Sequence, residues 1–181
     1  MNYHNIEKTS IANGFGVRVV LWCSGCRLCC KNCQNPLTWD FNSGKLFDDN
    51  ARQELFDALD KSYIQGLTLS GGHPLEPENT SDVYSLLVAI KSKFPTKDIW
   101  LYTGYTLDIY NFTTLKKGIS PECTHHNIIN RILNMCDVVV DGPYIEEQRD
   151  ISLPFCGSKN QRLISVQETL KQGQIIQYKI N

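Results

Sequence analysis

Five of the eight cysteines, Cys23, Cys26, Cys29, Cys30 and Cys33, fall within eleven residues, in the stretch W-C-S-G-C-R-L-C-C-K-N-C-Q-N. Core packing has no use for five thiols in one short loop. Thiolates this close together favour a soft metal or an iron–sulfur cluster. Two ligand registers share the stretch. Cys26-x3-Cys30-x2-Cys33 supplies three thiolates, so a four-iron cluster held by them keeps one iron open to a small molecule. Cys23-x2-Cys26-x2-Cys29-x3-Cys33 supplies four, in the bacterial ferredoxin spacing, with Gln34 in place of the following proline. A fully ligated cluster transfers electrons and does little else. A structural zinc site on four of the five is the third reading. Spacing alone does not choose among them.

The rest of the chain limits the setting. Its 181 residues carry a formal charge of −1. One domain, 1–181, is expected, burying roughly 70% of the unfolded surface without help from disulfides. The charge gives no electrostatic case for nucleic acid or for a membrane surface. No apolar run reaches membrane-spanning length, and M-N-Y-H-N-I-E-K at the start has no apolar targeting segment. A cytoplasmic location is therefore expected, where clustered cysteines bind metal more often than they pair. Cys136 and Cys156 read as small buried hydrophobes. Cys123, beside His125 and His126, fits no common zinc spacing. Asp48-Asp49 and Glu146-Glu147 read as solvated faces rather than acid–base pairs.

These chemical groups need a frame. Val17 to Trp22, Gly66 to Ser70, Ile99 to Tyr102, Val138 to Val140, Arg162 to Ser165 and Gln174 to Tyr178 read as strands. Between them, Asp48 to Lys61 presents Leu55, Phe56 and Leu59 on one side, as an amphipathic helix does. Further helices are expected over Thr80 to Phe94, capped by Thr80 or Ser81, over Asn127 to Met135, and over Val166 to Gln172. Strands alternating with helices imply a mainly parallel sheet of about six strands. Six strands are too few to close an eight-stranded barrel, so the fold class expected is α/β, a partial (open) βα barrel. Its carboxyl-end loops, at 23–35, at Ser70 to Pro74, at Thr103-Gly104 and at Asp141-Gly142, then meet at one end of the sheet.

Cys26-x3-Cys30-x2-Cys33 resembles the cluster motif of the radical S-adenosylmethionine enzymes, and S-G-G-H-P-L at Ser70 to Leu75 resembles their glycine-rich segment. More closely, the chain is similar to the activating proteins of anaerobic (class III) ribonucleoside-triphosphate reductase. The matching pieces are M-N-Y-H, N-G-F-G-V-R at Asn13 to Arg18, L-W-C-S-G-C at Leu21 to Cys26, L-S-G-G-H-P-L at Leu69 to Leu75, K-D-I-W-L-Y-T-G-Y at Lys97 to Tyr105, V-D-G-P-Y at Val140 to Tyr144 and G-S-K-N-Q-R at Gly157 to Arg162. The relatives tend to have Asp or Glu at the place of His73. Cys23 and Cys29 are extra, and Lys116 to His126 looks like an insertion.

The resemblance implies a 4Fe–4S cluster on Cys26, Cys30 and Cys33, with S-adenosylmethionine chelating the fourth iron. One electron from the cluster, delivered by a flavodoxin or ferredoxin, cleaves the sulfonium to methionine and a 5′-deoxyadenosyl radical. That radical makes a glycyl radical on the partner reductase. Gly71 and Gly72, lacking Cβ, are expected to let backbone approach the methionine end. Asn32 and Gln34, which flank Cys33, are assigned to the adenine, against plain loop polarity, and Cys33 is counted with the cofactor contacts. Thr103 is expected at the ligand, against a strand-ending hydroxyl. Asp141 is read as holding the next turn in preference to the ligand. Arg18 is weighed as neutralising cluster charge against an ion pair, and Gly14-x-Gly16 is too short for a phosphate loop. Activation of another glycyl-radical enzyme, of the formate-lyase type, and four-cysteine electron transfer are the alternatives.

Overall fold

The computed structural model describes residues 1–109, Phe112 and residues 124–180, with side chains from 127 onward in the last stretch. Cys123 and residues 116–123 of the insertion lie outside the described residues, as do the side chains of His125 and His126.

Seven strands form one sheet: β1 (Asn2–Ser10), β2 (Arg18–Cys23), β3 (Lys45–Leu46), β4 (Gly66–Gly71), β5 (Asp98–Tyr102), β6 (Val138–Asp141) and β7 (Arg162–Ser165). Their order is β3-β1-β2-β4-β5-β6-β7. β2, β4, β5 and β6 run parallel in the middle. β1, β3 and β7 are antiparallel additions at the edges. The sheet is open: β3 and β7 are its ends. The four β-branched or apolar runs are the parallel strands, as the near-continuous apolar pattern requires of strands covered on both faces.

Among the described residues the α-helices with full bounds are α1 (Asp49–Leu59), α2 (Pro77–Lys93), α3 (Thr124–Met135) and α4 (Val166–Gln172). Asp48 caps α1, its carboxylate accepting the Ala51 N–H at 2.9 Å. Ala51, Leu55, Ala58 and Leu59 are its buried stripe. α2 begins three residues before the expected cap, because Pro77 fits the first turn and Glu76 takes the cap position. Thr80 instead donates its hydroxyl to Pro77 O within that turn.

Strand alternation gives the sheet two different faces. Val19, Leu21, Cys23, Leu67, Leu69, Ile99, Leu101 and Val139 belong to the main core with the helix side chains of α1, α2 and α3. Each fully buried leucine there contributes about 1.5–3 kcal/mol. The other face carries Arg18, Thr68, Trp100, Val138 and Val140, packed by Phe155 and Tyr178. Two expectations need correction. The Gln174–Tyr178 segment is not a strand: it makes one bridge, Ile164 to Gln177, and two flanking backbone bonds to β7. β1 and β3 went unforeseen, so the sheet has seven strands rather than six.

Candidate metal and cofactor site

The four parallel strands end together at Cys23, Gly71, Tyr102 and Asp141. From Cys23 the chain enters the cysteine loop, which is gripped on two sides. On one side, Gly72 N–H donates to Cys23 O and His73 N–H to Gly25 O, both at 2.7 Å. On the other, Gly25 N–H donates to Thr38 O at 2.7 Å and Cys26 N–H to Trp39 O at 3.0 Å. The glycines serve this closeness. A Cβ on Gly72 would stand 2.6 Å from Gly25 O and 2.9 Å from Thr38 O; one on Gly71 would stand 2.6 Å from Cys23 N. The atoms that exclude a side chain at Gly71 and Gly72 therefore belong to the protein's own loop.

The five thiols divide by environment. Cys23 is fully buried in the helix-side core, and desolvation pushes its thiol up to about 12. Such a thiol stays protonated and faces away from the loop. Cys26, Cys30 and Cys33 are half-buried, and Cys29 is exposed. Backbone amides point at two of the trio: Asn35 N–H donates to Cys33 Sγ at 3.4 Å, and the Leu28 and Cys29 amides favour the Cys26 thiolate. Partial burial outweighs them and leaves the Cys26 thiol above its ordinary value. The loop turns left-handed at Cys29 (φ 44°) and Asn32 (φ 56°), costing on the order of 1–2 kcal/mol at each. Soft sulfur donors with amides aimed at them match what an iron–sulfur cluster requires. Among the described residues no group of three or more His, Cys, Asp or Glu is already placed to hold a metal ion.

Beside the loop opens a cavity of about 400 Å³. Its floor is the last inward-facing residue of three parallel strands, Trp22, Ser70 and Tyr102; its walls include Cys33 and Gln34 from the loop and Tyr144, Arg149, Cys156 and Gln161 opposite. Of the expected cofactor contacts, Cys33 and Gln34 line this space. Asn32, Gly71, Gly72 and Thr103 do not. The strand-end trio was missed, although period-two alternation back from each loop identifies it. Cys156 is half-buried in the cavity wall rather than in the core, with desolvation and then Asp141 raising its thiol to about 11. Cys136 is a core residue as expected, donating to Ile132 O.

Thr103 is buried, and its hydroxyl is engaged at 2.7 Å with His73 Nε2 and at 3.1 Å with the Tyr105 N–H. His73 is itself buried, edge-on to the Tyr105 ring, with Nδ1 3.5 Å from Glu76 Oε1. Burial holds its pKa below the usual imidazole range, partly opposed by Glu76. His73 thus ties the end of β4 to the end of β5, a role its position in the glycine segment did not announce. Asp141 accepts Arg162 Nε–H at 2.9 Å and Leu107 N–H at 2.8 Å, holding turns together. Gln161 does likewise for the Gly157 N–H.

Arg18 does not neutralise a cluster. It lies at the opposite end of β2, about 16 Å from Cys23 at ~3.3 Å per residue. It is fully buried, pairs with Asp98 at 2.6 Å, donates to Thr68 Oγ1 at 2.8 Å and stacks on Trp100. Gly14 is bare because a Cβ there would strike the Arg18 side chain and Trp100.

A soft three-thiol loop over a cavity at the carboxyl end of an open α/β sheet defines an iron–sulfur protein, and the family described as a 4Fe-4S single cluster domain matches residues 12–164. The chain is 41% identical over 165 residues to the anaerobic ribonucleoside-triphosphate reductase-activating protein of Enterobacteria phage T4, covering 91% of this chain and 94% of the relative. Proteins of the same name from Haemophilus influenzae and Escherichia coli K12 are 39% and 36% identical over 163 residues, covering 89% of this chain and 96% of each relative. The chain belongs to the family of anaerobic ribonucleoside-triphosphate reductase-activating proteins. Among the described residues no helix is long and apolar enough to cross a membrane.

Proposed function

We propose that this chain is a radical S-adenosylmethionine activase whose open sheet acts as a partial βα barrel. Cys26, Cys30 and Cys33 are the proposed ligands of its 4Fe–4S cluster, and the target is anaerobic ribonucleoside-triphosphate reductase. The observation that carries this reading is the separation of the thiols. Cys23 is locked in the helix-side core, while Cys33 lines the cavity at the strand ends. That disfavours the four-cysteine register, which needs Cys23; on the three-cysteine register one iron has no cysteine.

Cys26, Cys30 and Cys33 would hold the cluster, which when bound would supply one-electron chemistry for reductive cleavage of S-adenosylmethionine and so for hydrogen abstraction from a reductase glycine. The protein's residues do the positioning. Amides of Leu28 and Cys29 point at the Cys26 sulfur, and the Asn35 amide donates to the Cys33 sulfur. Trp22 and Tyr102 give the cavity dry walls, and Gln34 and Gln161 give it polar ones. Asn32 and Gln34, which flank Cys33, are assigned to the adenine end. Gly71, Gly72 and Thr103 act by keeping the loop seated, whichever part of the ligand their backbone also meets. A flavodoxin or ferredoxin is the proposed electron donor.

The test is anaerobic reconstitution with iron and sulfide, reduction by dithionite and addition of S-adenosylmethionine. The expected products are 5′-deoxyadenosine and methionine, with an altered EPR signal of the reduced cluster and a glycyl radical doublet on added reductase. An unaltered cluster signal and no 5′-deoxyadenosine, with the reductase present, overturn the proposal. A doublet on formate lyase but not on the reductase reassigns the partner.

A further inference from the structure

Glu76 is a carboxylate the proposed reaction leaves unused, and it is almost wholly buried. It sits at the cap position of α2 but makes no cap bond with its side chain. Its two oxygens instead reach the cysteine loop at the residue after Cys26. Oε1 accepts the Arg27 main-chain N–H at 2.9 Å, and Oε2 accepts Arg27 Nη1 at 2.6 Å. The guanidinium then bonds Glu78 and lies 4.3 Å over the Phe41 ring. Phe41 in turn covers the bare face of Gly25. One turn further along α2, Asn79 donates to Ser24 O at 2.8 Å. The start of α2 thus holds residues 24, 25 and 27, which bracket Cys26, by His73, Glu76 and Asn79.

A buried carboxylate persists only where its charge is matched. Here the matching cation is anchored to the loop itself: Arg27, next to Cys26, gives Glu76 both its main-chain N–H and its guanidinium. From this geometry we infer that Glu76 is a positioning residue for the cluster. It fixes Cys26 through the Arg27 amide, and the Glu76–Arg27 pair sets the local charge against which the cluster is reduced. The inference rests on the three-cysteine reading above. Charge beside an iron–sulfur cluster is one of the factors that set its potential. Removing the negative member makes an added electron easier to accept; removing the positive member makes it harder.

The experiment compares reconstituted wild type with Glu76→Gln, Arg27→Met, the double variant and Glu76→Ala, by iron and sulfide content and by EPR-monitored redox titration. Glu76→Gln keeps an acceptor for the Arg27 amide, so full iron content and a shift of the midpoint to less negative potential are expected. Arg27→Met is expected to shift it to more negative potential, and the double variant to return near wild type. Glu76→Ala removes the acceptor, and loss of bound iron is expected with the far-ultraviolet circular dichroism unchanged. Equal midpoints in Glu76→Gln, Arg27→Met and wild type, or shifts of the same sign in both, overturn the inference. Full iron in Glu76→Ala overturns its positioning half. If Glu76→Gln does not fold, Glu76→Asp replaces it: charge is kept and reach shortened, so iron loss without a positive shift is expected, and a positive shift counts against the charge argument. A wild type that binds no iron rejects the three-cysteine reading instead, and one that binds iron but cleaves nothing leaves the Glu76 result standing.

Discussion

Replacing Gly72 by alanine tests whether the glycines of the S-G-G segment serve the loop. The new methyl carbon would sit 2.6 Å from Gly25 O and 2.9 Å from Thr38 O, where ordinary contact begins at 3.4 Å. Both obstacles are backbone, so no side chain can swing away. The loop must retreat by most of an ångström. That retreat stretches the His73-to-Gly25 and Gly25-to-Thr38 hydrogen bonds, both 2.7 Å now. Two such bonds contribute about 1 kcal/mol each, and forced overpacking costs about 1–3 kcal/mol. A loss of about 2–4 kcal/mol is expected in urea unfolding of the iron-free protein, with lower iron content after reconstitution. Gly173→Ala is the control. Gly173, unlike Gly72, is left-handed, but nothing lies within 4 Å, so about 1 kcal/mol of backbone strain and no change in iron are expected. Because the obstacle is protein, Gly72→Ala must destabilise even without ligand. If it unfolds within about 0.5 kcal/mol of wild type and loses only S-adenosylmethionine binding, the steric account is wrong and the ligand is what demands glycine.

Cys23→Ala combined with Cys29→Ser is expected to keep four irons per chain, whereas alanine at Cys26, Cys30 or Cys33 abolishes them; iron and sulfide analysis distinguishes the outcomes. Arg18→Met leaves Asp98 without its buried partner and should cost about 2–4 kcal/mol in chemical denaturation, with iron content unaltered because the site is at the other end of β2. Burial holds folded-state His73 below its unfolded pKa of about 6.5. The unfolded chain therefore binds the proton more readily, and the stability His73 contributes is complete above pH 6.5 and lost as pH falls below it. Urea midpoints between pH 7 and pH 5 should drop less for His73→Asn than for wild type, and an equal drop removes His73 as the cause.

The parallel strands were legible because β-branched and apolar runs two faces deep leave little else for the backbone to do. β1 was not. Its register with β2 shifts between Tyr3 and Asn5 and again between Glu7 and Ser10, so the period-two signal is broken over N-Y-H-N-I-E-K-T-S. β3 is two residues long and exposed, too short to carry any pattern. Gln174–Tyr178 has strand composition but meets β7 at one bridge only. In the site, cysteine spacing left two registers open. Placing Cys23 as the last residue of a strand whose alternate side chains face the helices decides which way it points, and that needs the strand's end and phase. The tie between His73, Thr103 and Glu76 was illegible for a different reason: its members come from the ends of β4 and β5 and the start of α2, and only tertiary packing brings them together.

Arg18, Trp100 and the Phe15 carbonyl that Arg18 bonds close the lower end of the inward face of the sheet. On the proposed reading, a reductase docked over the cysteine loop covers the side of the cavity that Cys33 and Gln34 line, so the spent methionine and nucleoside leave more freely once it has gone.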